Sequence, residues 1–373
     1  MNQPLQQQQS LEAQTGGLGG RLRSLHGIIQ GRFPLISRLA LALYDPVSDQ
    51  LRTFASSNED GEALRQYQAR LQEVPSLLAL RDSRSARVVS DIAQAFMHDR
   101  AHTNWLHRRD YRSSYTLPIF KGEALVAFLF FDAKEPGVFL PEVTAFLDVF
   151  ADLVAQLYLL RLAAVHTLVG AVDIATGLAR IRDVETGRHL ERMAAYARLI
   201  AQGVAARHGL SDETIEYIHL FAPLHDIGKV GIPDRILFKP GPLVDEEWTL
   251  MKRHVDIGLE LVTHMCADLG LDGDPVAQVM REVVGGHHER GDGSGYPLGL
   301  KMDGIPVAAR IVAVADVFDA LTTVRPYKLA WPQEQAMAEL RREVAAGRLD
   351  GDCVEALAQA ELARQDIQRR LAD

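Results

Sequence analysis

The chain has 373 residues, of which 47% are hydrophobic and 24% charged, so it is long enough for two domains and apolar enough to bury a core in each. Its formal net charge of -9 argues against nucleic acid and against an anionic membrane surface as partners. Only Cys266 and Cys353 are present, too few for a disulfide framework. No uncharged apolar run reaches the roughly 18 residues of a membrane span. We therefore expect a cytoplasmic protein.

The first 20 residues, rich in Gln and Gly, predict a flexible tail. After them, "SRLALALYDPVSDQLRTFASS" predicts two strands around a turn at Pro46. The segment "YRSSYTLPIFKGEALVAFLFFDAK" predicts a second pair of strands around a turn at 121–123. Helical segments flank both pairs, so we expect an α+β domain over residues 21–140, with helices on one face of its sheet.

This arrangement resembles a GAF domain, a small sensor module, and the strand pair "LPIFKGEALVAFLFFD" carries most of the resemblance. The resemblance extends over residues 21 to about 155 and implies a small-molecule ligand of unknown identity. The segment has no cysteine, which argues against a covalently attached bilin, and it lacks the "NKxnFxxxDE" pattern of cyclic-GMP-binding GAF domains.

From Pro141 onward the pattern changes to that of a helix, and apolar residues recur at spacings of three and four. The residues of this seam are Phe146, Phe150, Leu153, Leu157, Leu160, Ala164 and Leu168. One interpretation is a helix that packs on its own domain, and the other is a coiled coil with a second chain. We favour the second, so residues 141–172 are predicted to be a connecting helix that forms a parallel homodimer.

Residues 173–373 contain helical patterns and almost no strand pattern, which predicts an all-α domain. Within it, Glu185 and His189 of "RDVETGRHLERM" are four residues apart and face the same side of a helix. In "FAPLHDIGKVGIPD", His225 and Asp226 are adjacent and can approach a pair of metal ions from one corner, and Lys229 follows. Such spacings suit the ligands of a shared metal centre.

The helix "AARIVAVADVFDALTT" carries two acidic residues among apolar ones. Burying an unpaired carboxylate costs several kcal/mol, so each needs a compensating positive charge. For Asp319 we expect an arginine, Arg325 or Arg310. Asp316, at the centre of the apolar run, is better explained as a metal ligand.

The segment "HHERGDGSGYP" at 287–297 allows two interpretations. It is either a glycine-rich surface loop after two surface histidines, or a metal site at a helix end with a loop that approaches a ligand. His254, in "MKRHVDIG", would by itself be a helix-surface histidine.

Together these segments resemble the HD-GYP family of cyclic dinucleotide phosphodiesterases, which combines an "HD" pair, "HHE…DGxGYP" and "ARI…VADVFDAL…RPYK". The match covers about 150 residues, from "RDVETGRH" to "RPYK". It implies an HD-domain helical bundle over 173–373, preceded by the long helix and the GAF-like domain. It also implies metal-dependent hydrolysis of cyclic di-GMP to pGpG or GMP, regulated by the sensor domain.

The resemblance implies these metal ligands: Glu185, His189, His225, Asp226, His254, His287, His288 and Asp316. Asp226 matches the bridging carboxylate, and Glu185 matches a position of members that hold three metals rather than two. Iron or manganese is expected. Lys229 matches the residue at the scissile phosphate, so Asp226 and Lys229 are the catalytic candidates. The other substrate-binding candidates are Tyr296, Arg325 and Lys328.

Two alternatives stay open. The substrate could be a mixed cyclic GMP-AMP dinucleotide, or the protein could be a nucleotide-binding adaptor that contacts diguanylate cyclases through the GYP loop. The complete ligand set favours an enzyme.

Overall fold

A computed structural model describes residues 17–46, 48–58, 64, 67–95, 101–180, 187–323 and 330–372. The chain divides into two compact units, Met1–Ala163 with Ser211–Glu213, and Ala164–Leu210 with Thr214–Asp373. The first helix begins at Gly17, inside the segment 1–20 that the sequence predicts to be a tail.

The first unit is an α+β domain built on six strands. Its strands are β1 (Ile36–Asp45), β2 (Gln50–Asn58), β3 (Gln68–Arg70), β4 (Arg87–Val89), β5 (Ser113–Lys121) and β6 (Ala124–Ala133). Its helices are α1 (Gly17–Arg32), α2 (Pro75–Ser83), α3 (Ile92–Ala95), α4 (Ala101–Arg108) and the start of α5 (Pro141–Arg180). The sheet order is β3-β2-β1-β6-β5-β4, and every neighbouring pair is antiparallel.

Helices cover both faces of this sheet, so the expectation of helices on one face is wrong. On one face, Ala40 of β1 and Phe128 of β6 share a core with Leu77 of α2. On the other face, Tyr115 of β5 stacks on Phe131 and donates a hydrogen bond to Asp148 of α5 at 2.5 Å. Because both faces are buried, β1 and β6 are apolar almost throughout and lack the alternation of a half-exposed strand.

Helix α5 presents one apolar stripe to its own domain. The residues of this stripe are Val143, Leu147, Ala151, Val154 and Tyr158, each at most 8% exposed. The predicted seam lies beside it: Phe146, Phe150 and Leu157 are half-buried, whereas Leu153 and Leu160 are 45% and 67% exposed. The side chains of Ala164 and Leu168 lie outside the described residues. The helix continues past residue 172 to Arg180.

By length and composition alone, Pro141–Leu160 also qualifies as a single membrane span. Core helices pass the same test, and Leu147 and Val154 of this segment are fully buried. The segment is therefore weak evidence for a membrane span.

The second unit is helical, as the sequence predicts. Its helices are α6 (Gly187–His208), α7 (Asp212–Phe221), α8 (Asp234–Leu237), α9 (Asp245–Lys252), α10 (His254–Asp268), α11 (Pro275–Gly286), α12 (Val307–Thr322), α13 (Gln333–Ala345), α14 (Gly351–Gln359) and α15 (Glu361–Arg370). Helix α6 packs on α12, where the rings of Tyr196 and Phe318 meet edge to face at 5.0 Å. A single β-bridge joins Asp292 to Lys301 in the glycine-rich segment.

The buried ion pair between Arg38 of β1 and Asp132 of β6 allows a test of the first unit. Both side chains are almost fully buried, so Asp132→Asn leaves a guanidinium in the core without its counter-charge. We expect the free energy of unfolding to fall by about 3–5 kcal/mol, measured by urea titration. The control is Glu123→Gln, whose carboxylate pairs with Arg84 at the surface and should contribute little. Equal effects of the two substitutions would contradict this account.

Candidate metal centre

The site forms where the turns after α7 come into close contact with the start of α10. After α7, the chain makes two short 3-10 turns, Ala222–Leu224 and Ile227–Gly231, and His225 and Asp226 lie between them. A Cβ on Gly228 would lie 1.8 Å from the carbonyl oxygen of His254 and 2.5 Å from the amide nitrogen of Gly258. Only glycine allows this contact, and the contact brings Asp226 against the start of α10.

Seven of the eight predicted ligands lie in two groups. Within each group, one ligand atom per residue lies within 4.8 Å of the others. The first group is Asp226, His254, His287 and His288, and the second is His189, His225 and Asp316. Glu185, the eighth, lies outside the described residues, as do Arg325 and Lys328.

Asp226 stands between the two groups. Its Oδ1 lies 3.3 Å from Nε2 of His254 and 3.8 Å from Nε2 of His287. Its Oδ2 lies 3.2 Å from Nε2 of His225, which is 4.0 Å from Oδ1 of Asp316. One carboxylate therefore faces both groups, one oxygen to each.

Backbone carbonyls set the orientation of three histidine rings. Nδ1 of His225 donates to Ala222 at 2.9 Å, Nδ1 of His254 to Met251 at 2.8 Å, and Nδ1 of His287 to Val284 at 3.0 Å. Because a carbonyl only accepts, each Nδ1 carries a proton and each Nε2 is turned toward Asp226. With Nε2 unprotonated, this is the tautomer that binds a metal.

Three buried polar atoms at this point have no hydrogen-bond partner within the described part of the chain: Asp226 Oδ1, His254 Nε2 and His287 Nε2. Leaving a buried acceptor unpaired costs about 1–3 kcal/mol, and more for a charged group. A cation bound among them would satisfy all three, so these residues fit a metal ion.

The ionisation of the site suits the same role. Burial lowers the pKa values of His254, His287 and His288, the last to about 3, so these rings are neutral at physiological pH. Burial alone would raise the pKa of Asp226, but the charges of Lys229, His225 and His287 and the hydrogen bond from His225 together outweigh it and hold that pKa well below its usual range. Burial likewise opposes the charge on His225, yet the neighbouring Asp226 raises its pKa to about 9. A bound cation would replace that proton.

Lys229 and Tyr296 flank the metal-ligand groups. Nζ of Lys229 lies 2.7 Å from Oδ2 of Asp226. The ring of Tyr296 packs on that of His288 at 4.7 Å, and Nζ of Lys252 lies 5.5 Å from the Tyr296 ring. Lys252 carries no motif signal, so its place beside the site is visible only in the fold.

Glu289 shapes the glycine-rich loop, and sequence reasoning assigned it no role. Its carboxylate is 2% exposed and accepts hydrogen bonds from the backbone amides of Leu298 at 2.7 Å and Leu300 at 2.8 Å. A Cβ on Gly295 would lie 2.2 Å from the amide nitrogen of Arg290, so this close fold of the loop requires glycine. Its position in "HHE" directly after the two histidines was the available signal.

The burial and the partners of the two carboxylates of α12 differ from what the sequence predicts. Asp319 is the fully buried one, and its partners are His189 and Arg192 rather than Arg310. Arg310 pairs instead with Asp350 at 2.8 Å. The side chain of Asp316 is 25% exposed, so burial does not single it out; its distance from His225 does.

Comparison with known proteins agrees with the two-unit fold. Residues 30–157 match the GAF domain model and residues 178–353 match the HD domain model. The chain therefore contains a GAF domain followed by an HD domain.

Curated relatives match about half of this chain. A cyclic di-GMP phosphodiesterase of Thermotoga maritima is 43% identical over 203 residues, 54% of this chain and 52% of the relative. A cyclic di-GMP phosphodiesterase response regulator of Xanthomonas campestris is 48% identical over 47% of this chain and 43% of the relative. A 3'3'-cGAMP-specific phosphodiesterase of Vibrio cholerae is 43% identical over 47% of this chain and 30% of its own length. The chain thus spans about half, or less, of these relatives.

Glu289→Gln should loosen the glycine-rich loop, because the two backbone amides donate to different oxygens of the carboxylate and a glutamine keeps only one oxygen. Hydrogen bonds to a charged group contribute about 1.5–3 kcal/mol, so we expect the Leu298 or Leu300 amide to exchange at least about tenfold faster. Hydrogen exchange read by mass spectrometry measures this. Glu282→Gln, which alters a surface contact with Gln278, is the control. Unchanged protection at both amides would show that Glu289 does not hold the loop.

Proposed function

We propose that the HD domain of this chain hydrolyses cyclic di-GMP, to pGpG and onward to GMP, at the metal centre. The observation that carries this proposal is the convergence of histidine Nε2 atoms on both oxygens of Asp226, with three buried polar atoms that a bound cation would satisfy. Relatives that are named cyclic di-GMP phosphodiesterases support the same activity.

The proposed ligands are His189, His225, Asp226, His254, His287, His288 and Asp316. Bound divalent metal ions lower the pKa of water and offset charge on the attacked phosphoryl group. We propose iron or manganese, since imidazole and carboxylate ligands suit both. Two groups of ligands suit two ions, and Glu185 would be a ligand of a third ion.

Asp226 is the proposed bridging ligand, because each of its oxygens faces a different group. Lys229 is proposed to contact the scissile phosphate, since its ammonium is held at the edge of the site by the same carboxylate. Tyr296 offers a ring on the substrate side, next to His288. Arg325 and Lys328 are proposed as further phosphate contacts on the family pattern alone.

The GAF domain is the proposed sensor, and its small-molecule ligand would regulate hydrolysis. We propose a cytoplasmic location for the protein. Diguanylate cyclases are proposed as possible protein partners of the GYP loop. The cyclic GMP-AMP alternative is supported by the relative that is specific for it.

Manganese-loaded protein should hydrolyse cyclic di-GMP, and Asp226→Ala should abolish hydrolysis, because no other carboxylate among the described residues faces both groups. Chromatography of products from both cyclic dinucleotides, with elemental analysis of the same samples, measures activity and metal together. Faster turnover of cyclic GMP-AMP would transfer the assignment to that substrate. Metal-loaded protein that binds a dinucleotide and cleaves neither would favour the adaptor.

Lys229→Ala should lower the rate of hydrolysis by at least about tenfold and leave the metal content unchanged, since an ammonium group is not a ligand. The matched control is Lys239→Ala: Lys239 is similarly exposed and is also ion-paired, with Glu247 at 2.5 Å, but it lies outside the site. Loss of metal from Lys229→Ala would contradict this division of roles.

We also propose that the chain forms a parallel homodimer through α5. The buried stripe of this helix accounts for Leu147 and Val154 but leaves Val149, Leu153 and Leu160 at 45–67% exposure. These exposed residues belong to or adjoin the heptad-like seam, which a second copy of the same helix would cover.

Leu153→Asp combined with Leu160→Asp should therefore shift the protein from dimer toward monomer. Sedimentation at micromolar concentration should give twice the chain mass of 41.2 kDa for the wild type and a lower value for the variant. Ala145→Asp adds one such charge at an exposed position outside both apolar stripes and serves as the control. A monomeric wild type would refute the dimer.

A further inference from the structure

A buried polar cluster lies behind one of the two ligand groups. It consists of His189 and Arg192 on α6 and Asp319 on α12, and each residue is at most 5% exposed. Nδ1 of His189 donates to Oδ2 of Asp319 at 2.5 Å, which leaves the lone pair of His189 on Nε2, on the side of His225 and Asp316.

Arg192 fixes the carboxylate of Asp319 from the opposite side. Its Nε donates to Oδ1 at 2.8 Å and its Nη2 to Oδ2 at 3.4 Å. The hydroxyl of Thr323 donates to Oδ2 at 3.2 Å and accepts from Nη2 of Arg192 at 3.1 Å. The remaining terminal nitrogen, Nη1, donates to the carbonyl of Leu371, just after α15, at 2.9 Å. The carboxylate is thus held at a defined place and angle.

This arrangement differs from that of the other oriented histidines. His225, His254 and His287 each use a backbone carbonyl as the acceptor for Nδ1, whereas His189 uses a charged side chain. The carboxylate of Asp319 is also ion-paired with the guanidinium of Arg192 at 2.8 Å, so the acceptor is a charged side chain rather than a peptide carbonyl. A carboxylate behind a ligating imidazole fixes the ring and makes it a stronger donor to a metal.

We infer that Asp319 and Arg192 are positioning residues for His189. They would selectively raise the affinity for the cation held by His189, His225 and Asp316. The inference rests on the proposed function, because it presumes a metal at this centre. The other group depends on backbone carbonyls and on Asp226, so it should be insensitive to Asp319.

The test compares Asp319→Asn with the wild type in the full chain, loaded with Mn²⁺. Each protein is dialysed against graded EDTA, and manganese per chain is determined by elemental analysis. We expect Asp319→Asn to lose one ion at a chelator strength about 10- to 100-fold lower than the wild type requires, while the remaining metal is lost as in the wild type. The readout is metal occupancy and does not depend on catalysis.

Asp350→Asn is the matched control. Asp350 forms a buried ion pair with Arg310 of the same helix α12, but it contacts no ligand of either group. The substituted side chain keeps an oxygen to accept the amide hydrogens of residues 352 and 353. It should release manganese as the wild type does.

A second variant covers the case in which Asp319→Asn does not fold. Thr323→Val keeps the shape of the side chain and removes one hydrogen bond to Asp319 and one from Arg192, so it should weaken the same single ion by a smaller factor. The inference would be overturned if the Asp319→Asn protein lost manganese at the same EDTA concentrations as the wild type or as Asp350→Asn. It would also be overturned if Asp319→Asn lost all of its ions together, or if Thr323→Val lost manganese as the wild type does. In those cases the wild type still holds metal and the proposed function stands. A wild type that binds no manganese would overturn both.

Discussion

A buried anion surrounded by neutral imidazoles is the constraint on which the HD domain depends. Asp226 is held ionised in the interior by Lys229 and His225, while burial keeps His254, His287 and His288 uncharged. Without a metal, His225 must carry a proton to balance that charge, and Nε2 of His254 and of His287 has no hydrogen-bond partner among the described residues. A divalent cation would meet both needs, so a bound metal would stabilise this region as well as supply its chemistry.

The rest of the domain serves to hold these groups at fixed distances. The proposed ligands come from five places along the chain: α6, the turns after α7, the start of α10, the end of α11, and α12. Gly228 allows two of these segments to touch, and backbone carbonyls of the turns themselves orient the imidazoles. The backbone thus has two roles here: its carbonyls belong to helices and turns of the fold, and they also fix the tautomer of the histidine rings.

The sequence predicted the ligand set through motif strings, although the roles of these residues remain proposals. Physical reasoning on individual residues was less reliable. It chose Asp316 over Asp319 as the carboxylate whose burial requires a cation, and the structure shows Asp319 as the more deeply buried of the two, with Arg192 as its partner. Arg192 lies 127 residues away from Asp319 in the chain, and no spacing rule connects them.

The sequence by itself determined the two-domain plan, because strand-like segments separated by turns give way near Pro141 to apolar residues at helical spacings of three and four. It also identified seven residues that the fold brings together in two groups. Only the tertiary structure decided that helices cover both faces of the sheet, that α5 has a second apolar stripe, and that Glu289 anchors the glycine-rich loop. The physical reason is that local periodicity records whether a residue is buried, whereas the partner that buries it, or that neutralises its charge, comes from a distant part of the chain.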